Sequence, residues 1–365
     1  TAKAALLDAE DHILFTGYYR HHADLQAALL RLLREIDISR GELALSCTVT
    51  GSGGLAIAEQ LGLPFIQEVV AGVKAVRRYI ACADIALELG GEDAKLTFFD
   101  QGVDQRMNGI CAGGTGAFID QMALLLKTDA AGLNLLAAAH KVIYPIAARC
   151  GVFAKTDIQA LLNAGAAQED IAASVFQAVV NQVIGGLACG RKIRGKIALL
   201  GGPLYFLPEL RRIFRETLGL PESALILPEQ AQVYVAIGAA LAAKAQESAT
   251  RQSLHGLIAK IKSKPPQQSA PTAGLAPLFA DKGQYRQFVA RHNGGKAMRQ
   301  GLSSSAGGCF LGLDIGSTTC KAALIDDQAR LLFSYYASNG GEPLQSARHM
   351  LRAVYDNLPA GAAIA

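Results

Sequence analysis

Tryptophan is absent from this sequence, and aromatic residues make up only 6% of its 365 residues. Because apolar residues still reach 51%, we expect an aliphatic, alanine-rich and glycine-rich protein. The formal charge of +4 is small, and lysine and arginine are scattered along the chain, which argues against a nucleic-acid partner. No apolar run approaches the roughly 20 residues of a membrane helix, and no export signal is visible. We therefore expect a cytoplasmic protein that does not interact with membranes.

A disulfide framework is not indicated by the seven cysteines, because the cytoplasm keeps thiols reduced. Five of them stand alone in apolar or glycine-rich stretches, where a small buried thiol is the simplest expectation: Cys47, Cys82, Cys189, Cys309 and Cys320. Cys111 and Cys150 differ, because each directly precedes a stretch that predicts the start of a helix.

An internal repeat divides the chain. Residues 1–8 read TAKAALLD and residues 319–326 read TCKAALID, and both are followed by similar strand and helix patterns. The second copy is preceded by the apolar strand and turn FLGLDIGST, whereas the first copy begins at Thr1 without them. We expect a module over 1–245 that lacks its first strand and turn, and the truncated start of a second module over 309–365. Residues 246–308, rich in Pro, Gln, Ser and Gly, are expected to be a linker with one short helix.

Strands and helices alternate within the first module. The pattern predicts a hairpin at about 2–17, strands at KLTFF and KIALL among others, and helices at about 113–127, 157–164, 169–192 and 205–218. Such alternation favours an α/β architecture, with a sheet covered by helices.

Three glycine-containing turns follow apolar strands, where backbone N–H groups can bind phosphate without obstruction by side chains. Taken singly, each is more often an ordinary tight turn, but acidic residues beside two of them suit a magnesium ion. The turns are Glu88–Asp93 (ELGGED), Leu200–Pro203 (LGGP) and Asp314–Thr319 (DIGSTT).

DIGSTT, ELGGED and LLGG resemble the first phosphate, second phosphate and adenosine motifs of the fold shared by actin, sugar kinases and acetate kinase. That fold is an α/β ATPase in which two ribonuclease-H-like subdomains close on ATP. The stretches NGICAGGTGAFID (Asn108–Asp120) and RCGVFAKTD (Arg149–Asp157) are similar to the cysteine segments of 2-hydroxyacyl-CoA dehydratase activators and benzoyl-CoA reductase ATPase subunits. The resemblance covers nearly all of 1–245 and 309–365, and GGPLYFLPEL resembles the longer tandem members.

The resemblance implies a set of site residues. Glu92, Asp93 and Asp314 correspond to catalytic acids, and Cys111 and Cys150 to two ligands of a 4Fe-4S cluster. Because four thiolates usually hold such a cluster, the family arrangement shares it between two modules, in a homodimer or a tandem chain. The residues assigned to ATP and magnesium are Gly90, Gly91, Gly113, Gly114, Thr115, Gly116, Gly201, Gly202, Gly316, Ser317, Thr318, Thr319 and Lys321.

Two departures from the family pattern concern the nucleotide. Glu92 stands where glutamine is usual, so phosphate or water contacts there differ, and PLYFLP after Gly202 replaces an asparagine-containing form, which puts adenine contacts in question. For Lys3 and Lys321, which follow the repeated turn, a phosphate contact and a solvated strand edge are equally compatible with the pattern. Since each copy lacks motifs that the other carries, we expect neither to hydrolyse ATP alone.

The resemblance implies an ATPase that drives low-potential electrons from its cluster to an iron-sulfur partner similar to 2-hydroxyacyl-CoA dehydratases, with ferredoxin or flavodoxin as electron donor. A small-molecule kinase of the same fold is the alternative, although a kinase has no use for the cysteine pair. A nucleotide-binding module that has lost hydrolysis is a third reading.

Overall fold

The computed structural model describes residues 1–364 except 23, 101, 109–113, 149, 246–250, 264–275, 296, 303–307, 317 and 359–362. The chain divides into two compact units. The first comprises Thr1–Lys155 and Gln168–Gln267, and the second Thr156–Ala167 and Gln268–Ala365.

The strands within the described residues are short, and most lie in the first unit. Their bounds are β1 Ala2–Leu7, β2 Ile13–Tyr19, β3 Ala44–Leu45, β4 Ile85–Leu89, β5 Ala94–Phe98, β6 Asp104–Met107, β7 Ile197–Leu200, β8 Leu225–Ile226, β9 Gln252–Ser253, β10 Gly308–Ile315, β11 Thr319–Ile325, β12 Leu331–Ser338 and β13 Ala363–Ile364.

The helices lie between these strands, singly or in runs of up to four. Their bounds are α1 Leu25–Arg40, α2 Gly54–Leu61, α3 Glu68–Tyr79, α4 Gly116–Leu125, α5 Ala130–Ala138, α6 Gly151–Asn163, α7 Gln168–Val183, α8 Gly202–Phe206, α9 Pro208–Leu218, α10 Tyr234–Lys244, α11 Leu254–Ser263, α12 Lys282–Asn293 and α13 Pro343–Asn357.

A five-stranded sheet in the order β6-β5-β4-β7-β8 is the centre of the first unit. Strands β4, β5 and β6 pair antiparallel, whereas β7 and β8 run parallel to β4. On one face, Ala75 and Val76 of α3 and Ile237 of α10 pack against Ala198 of β7. The parallel pairing of β4 with β7 matters for the site, because both strands end at the same edge of the sheet.

The repeat is confirmed as two antiparallel hairpins, β1–β2 and β11–β12. In the second unit the sheet order is β12-β11-β10-β13, with three antiparallel strands followed by one parallel strand. This is the same succession as β6-β5-β4-β7 in the first unit. The hairpin β10–β11 pairs over Phe310–Ile315, so the DIGSTT strand lies beside its own repeat copy.

Several boundaries differ from the predictions. The helix predicted over 205–218 is two helices, because Pro208 begins α9 and lacks the N–H that would continue α8. Residues 252–263, predicted to belong to the linker, form β9 and α11. There Leu254 and Ile258 pack against Ile36 of α1. The short helix predicted within the linker is α12, and none of its residues is buried. The larger division into modules and linker stays a prediction.

Helix α7 continues into a π-helical turn, Ile184–Ala188. The resulting stretch, Gln168–Ala188, is long and apolar enough to cross a membrane by length and composition alone, although the sequence predicted no such run. Of its most apolar 18 residues, 67% are buried by the rest of the protein, as in the core helix of a globular domain.

Helices α3 and α10 cross at Gly238. A Cβ atom at Gly238 would overlap the carbonyl oxygen of Ala71, which is fully buried. By contrast, a Cβ atom at Gly72, in α3 itself, would meet Glu88 Oε2 only at 3.9 Å. The first glycine is therefore required by a close helix–helix approach, and the second is not.

We predict that Gly238→Ala lowers the free energy of unfolding by about 2 kcal/mol or more, because the backbone of α3 must move. Gly72→Ala should raise it by about 0.5 kcal/mol, because alanine favours the helix and no clash opposes it. Urea unfolding followed by circular dichroism measures both changes. Equal destabilisation by the two substitutions would contradict the close approach.

Candidate functional site

The turn between β4 and β5 contains the ELGGED motif. The N–H group of Gly90 donates to the carbonyl oxygen of Asp93 at 2.7 Å, which closes the turn. A Cβ atom at Gly90 would overlap Asp93 Oδ1, so the carboxylate of Asp93 folds directly over the glycine. Gly91 and Glu92 are exposed beside it.

A buried lysine lies beneath this turn. The side chain of Lys95 is 3% exposed, and its Nζ lies 2.8 Å from Asp93 Oδ2, 2.7 Å from Glu68 Oε2 and 3.6 Å from Glu88 Oε1. Burial alone lowers the pKa of Lys95, but the charges of the three carboxylates outweigh burial and raise it above its usual value. Lys95 is therefore a charged ammonium that fixes the acidic side of the turn.

Burial also acts on the carboxylates. It raises the pKa of Glu88, and the attraction of Lys95 opposes that rise. Sequence reasoning missed Lys95, Glu68 and Glu88 as site residues. The available signal was a lysine within the otherwise apolar strand β5, all five of whose residues are buried.

Helix α4 begins against the same turn. The N–H group of Gly116 donates to Gly90 O at 2.9 Å, and that of Ala117 donates to Gly91 O at 2.7 Å. Both N–H groups are thus used by the turn and are not available to a phosphate. A Cβ atom at Gly116 would lie 3.2 Å from Pro203 Cγ, so the LGGP turn packs here as well.

The LGGP turn follows β7 at the edge where β4 ends. Gly201 has a φ angle of +90°, and a Cβ atom there would overlap the carbonyl oxygen of Leu89. Next to it, a Cβ atom at Gly202 would lie 2.7 Å from the hydroxyl oxygen of Tyr18. The Tyr18 ring lies 5.6 Å from the ring of Phe206, which is 53% exposed. An aromatic wall thus stands beside the predicted adenosine turn.

The structure therefore brings two of the three predicted turns together with the start of α4. Gly114, with a φ angle of +81°, lies against Gln182, and Thr115 is fully buried. Gly113 and Cys111 lie outside the described residues, as does Ser317 in the third turn.

The DIGSTT turn belongs to the second unit. Lys321 Nζ donates to Asp314 Oδ2 at 2.8 Å, and this hydrogen bond raises the pKa of Lys321. The N–H group of Gly316 donates to Thr319 O at 2.9 Å, and Asn339 donates to both Gly316 O and Thr318 O. Lys321 thus holds the acid of its own turn.

Cys150 lies at the start of α6. It is partly buried, and its carbonyl oxygen accepts the N–H group of Ala154 at 2.9 Å. The next residues, Val152 and Phe153, are 73% and 66% exposed. A thiolate at this position would face the positive end of the α6 dipole, beside an apolar surface.

The five isolated cysteines were all expected to be buried, but they differ in exposure. Cys309 and Cys320 are buried, as predicted, whereas the prediction is wrong for Cys82 and Cys189, which are exposed on loops. Cys47 is partly buried, and burial raises its pKa to about 11.

Comparison with known proteins identifies the family to which the chain belongs. The chain belongs to the BadF/BadG/BcrA/BcrD ATPase family, whose model matches residues 13–243. It is similar to the 2-hydroxyisocaproyl-CoA dehydratase activator of Clostridioides difficile, with 30% identity over 167 residues, 44% of this chain and 61% of that one. The chain thus spans less than two thirds of that relative.

Solved structures agree on the fold. Component A of the Acidaminococcus fermentans (R)-2-hydroxyglutaryl-CoA dehydratase has a TM-score of 0.60 at 24% identity, covering 67% of this chain and 93% of its own. The Clostridium difficile 2-hydroxyisocaproyl-CoA dehydratase activator with bound ADPNP has a TM-score of 0.56 at 22% identity, covering 73% and 95%. The predicted actin-like ATPase fold is confirmed.

We predict that Lys95→Met lowers the free energy of unfolding by about 3 kcal/mol at neutral pH, because three carboxylates lose their cation. Without Lys95 the pKa of Glu88 rises further, and a raised carboxyl pKa gives stability at low pH that is lost as pH rises. The variant should therefore be more stable at pH 5 than at pH 8. Lys244→Met, which removes an exposed ion pair with Asp11, should cost under about 1 kcal/mol. Equal losses of unfolding free energy in the two variants, measured by denaturant unfolding, would contradict the role of Lys95 as the cation of the three carboxylates.

We predict a second, chemical distinction among the thiols. With a pKa of about 11, Cys47 is almost entirely protonated at pH 8, so iodoacetamide should modify it at least tenfold more slowly than exposed Cys82. The Cys47 rate should rise steadily from pH 8 to pH 10. Rates are obtained by mass spectrometry of the cysteine peptides, and comparable rates for Cys47 and Cys82 at pH 8 would contradict the prediction.

Proposed function

We propose that this protein is an ATP-dependent activator that couples ATP hydrolysis to low-potential electron transfer from a 4Fe-4S cluster to an iron-sulfur partner enzyme. The observation that carries the proposal is the pair of hydrogen bonds from Gly116 and Ala117 to the carbonyl oxygens of Gly90 and Gly91. They attach the helix that follows the Cys111 segment to the proposed phosphate-binding turn. Membership of an ATPase family supports ATP as the bound nucleotide.

The nucleotide is proposed to lie along the edge formed by the two turns. The exposed residues Gly91 and Glu92 would face the phosphates, and Asp93, held by Lys95, would help to hold a magnesium ion, which would neutralise phosphate charge and activate water. The aromatic wall of Tyr18 and Phe206 offers a stacking surface for adenine beside Gly202. Asp314, in its ion pair with Lys321, is proposed to be the acid of the first phosphate turn in the second module.

The cluster is proposed to bind through Cys111 and Cys150, with two further thiolates from a second module. Cys150 fits such a ligand, because it precedes a helix and stands beside exposed apolar residues that suit a contact with another module. The cluster would supply one-electron transfer at low potential. The protein's own part would be to hold the thiolates and to change their position when the nucleotide changes.

The partners follow from the relatives. An activator of a 2-hydroxyisocaproyl-CoA dehydratase is among them, so we propose a 2-hydroxyacyl-CoA dehydratase-like iron-sulfur protein as electron acceptor. Ferredoxin or flavodoxin is proposed as donor, a homodimer or tandem pair as the working assembly, and the cytoplasm as its location.

We predict that Cys111→Ser and Cys150→Ser each reduce bound iron in anaerobically prepared protein to less than a tenth of the wild-type content. Serine keeps the size of the side chain but is a poor ligand for an iron-sulfur cluster, so unfolding temperatures should change little. Cys82→Ser, at an exposed loop cysteine, is the matched control and should retain the iron. Iron and sulfide analysis with visible absorbance provides the measurement, and full iron content in either ligand variant would refute the proposal.

A further inference from the structure

Asn108 is the last described residue before the Cys111 segment, directly after β6. Its backbone N–H group donates to Ala94 O at 3.1 Å, and its side-chain Oδ1 accepts the N–H group of Ala94 at 2.7 Å. One residue thus satisfies both backbone groups of Ala94, which is 2% exposed. The side chain extends the β5–β6 ladder by one position as the chain leaves the sheet.

Ala94 directly follows the ELGGED turn, as the first residue of β5. The far end of the Cys111 segment is attached to the start of the same turn, through the N–H groups of Gly116 and Ala117. The two ends of the segment are therefore hydrogen-bonded on the two sides of one turn, to Gly90 and Gly91 within it and to Ala94 directly after it. Displacement of this turn moves both attachment points.

We propose that Asn108 is a positioning residue that transmits the nucleotide state of the Gly90–Asp93 turn to the segment that carries Cys111. This inference rests on the proposed function, because it names the contact through which the nucleotide would act on the cysteine segment. The attachment at Gly116 and Ala117 is made by backbone groups that substitution does not remove, whereas the attachment at Ala94 depends partly on one side-chain oxygen. A substitution at Asn108 can therefore weaken the link between the turn and the Cys111 segment while every residue of the turn stays unchanged.

Asn134 provides a matched control. Its Oδ1 accepts the backbone N–H group of Glu209 at 2.9 Å, and it is 8% exposed. It therefore makes the same kind of buried side-chain-to-backbone bond, but between α5 and α9, with no bond to the turn. The Asn134→Ala variant therefore shows what the loss of one such buried hydrogen bond does to the fold, without any change at the turn.

The experiment is hydrogen exchange of the full chain with and without magnesium and a non-hydrolysable ATP analogue, read at the peptide covering residues 109–115. We expect the analogue to slow exchange there at least threefold in the wild type and in Asn134→Ala. In Asn108→Ala the change should fall below 1.5-fold, although calorimetry gives an affinity within twofold of the wild type. Asn108→Asp, which keeps the acceptor oxygen, should restore the response.

Asn108→Gln keeps an amide but moves its oxygen by one carbon, so it tests the same bond if the alanine variant is unfolded, and it should lose the response. A full response in the folded Asn108→Ala or Asn108→Gln variant, or an equal loss in Asn134→Ala, would overturn the inference. If the wild-type protein binds the analogue and hydrogen exchange at 109–115 does not change, the role proposed for Asn108 is overturned but nucleotide binding is not. A wild type that binds no analogue would instead remove the proposed function itself.

Discussion

The start of α4 and the ELGGED turn are held together by backbone hydrogen bonds, and the rest of the site depends on this attachment. Because Gly116 and Ala117 donate to Gly90 O and Gly91 O, the first turn of the helix is joined to the edge proposed to bind phosphate. The parallel pairing of β4 and β7 then places Gly201 against Leu89. Glycine is required at Gly201, because a Cβ atom there would overlap the backbone carbonyl oxygen of Leu89.

The charge arrangement beneath the turn complements this geometry. Lys95 contacts three carboxylates that would otherwise repel one another at the end of β4 and the start of α3. A buried ammonium of this kind adds little net stability compared with an apolar core, but removing it is costly, because the acids remain. Its value is positional, since Asp93 is held over the turn that the nucleotide phosphates are proposed to meet.

Much of the architecture was predictable, because the signals are local. The repeat of TAKAALLD and TCKAALID predicted the two hairpins, and glycine after an apolar strand predicted the turns at Gly90 and Gly201. Lys95 and Glu68 were missed, since their meeting depends on tertiary packing between β5 and α3. Asn108 lies within the recognised cysteine stretch, yet its bond to Ala94 depends on the β5–β6 register, which sequence alone does not define.

The central claim is that the nucleotide turn and the cysteine segment move as one unit. The most direct test is the electron paramagnetic resonance spectrum of the reduced, anaerobically prepared protein before and after addition of magnesium and a non-hydrolysable ATP analogue. The account predicts a 4Fe-4S signal whose g-values shift when the analogue binds. An iron-sulfur signal that is identical with and without bound analogue would contradict it.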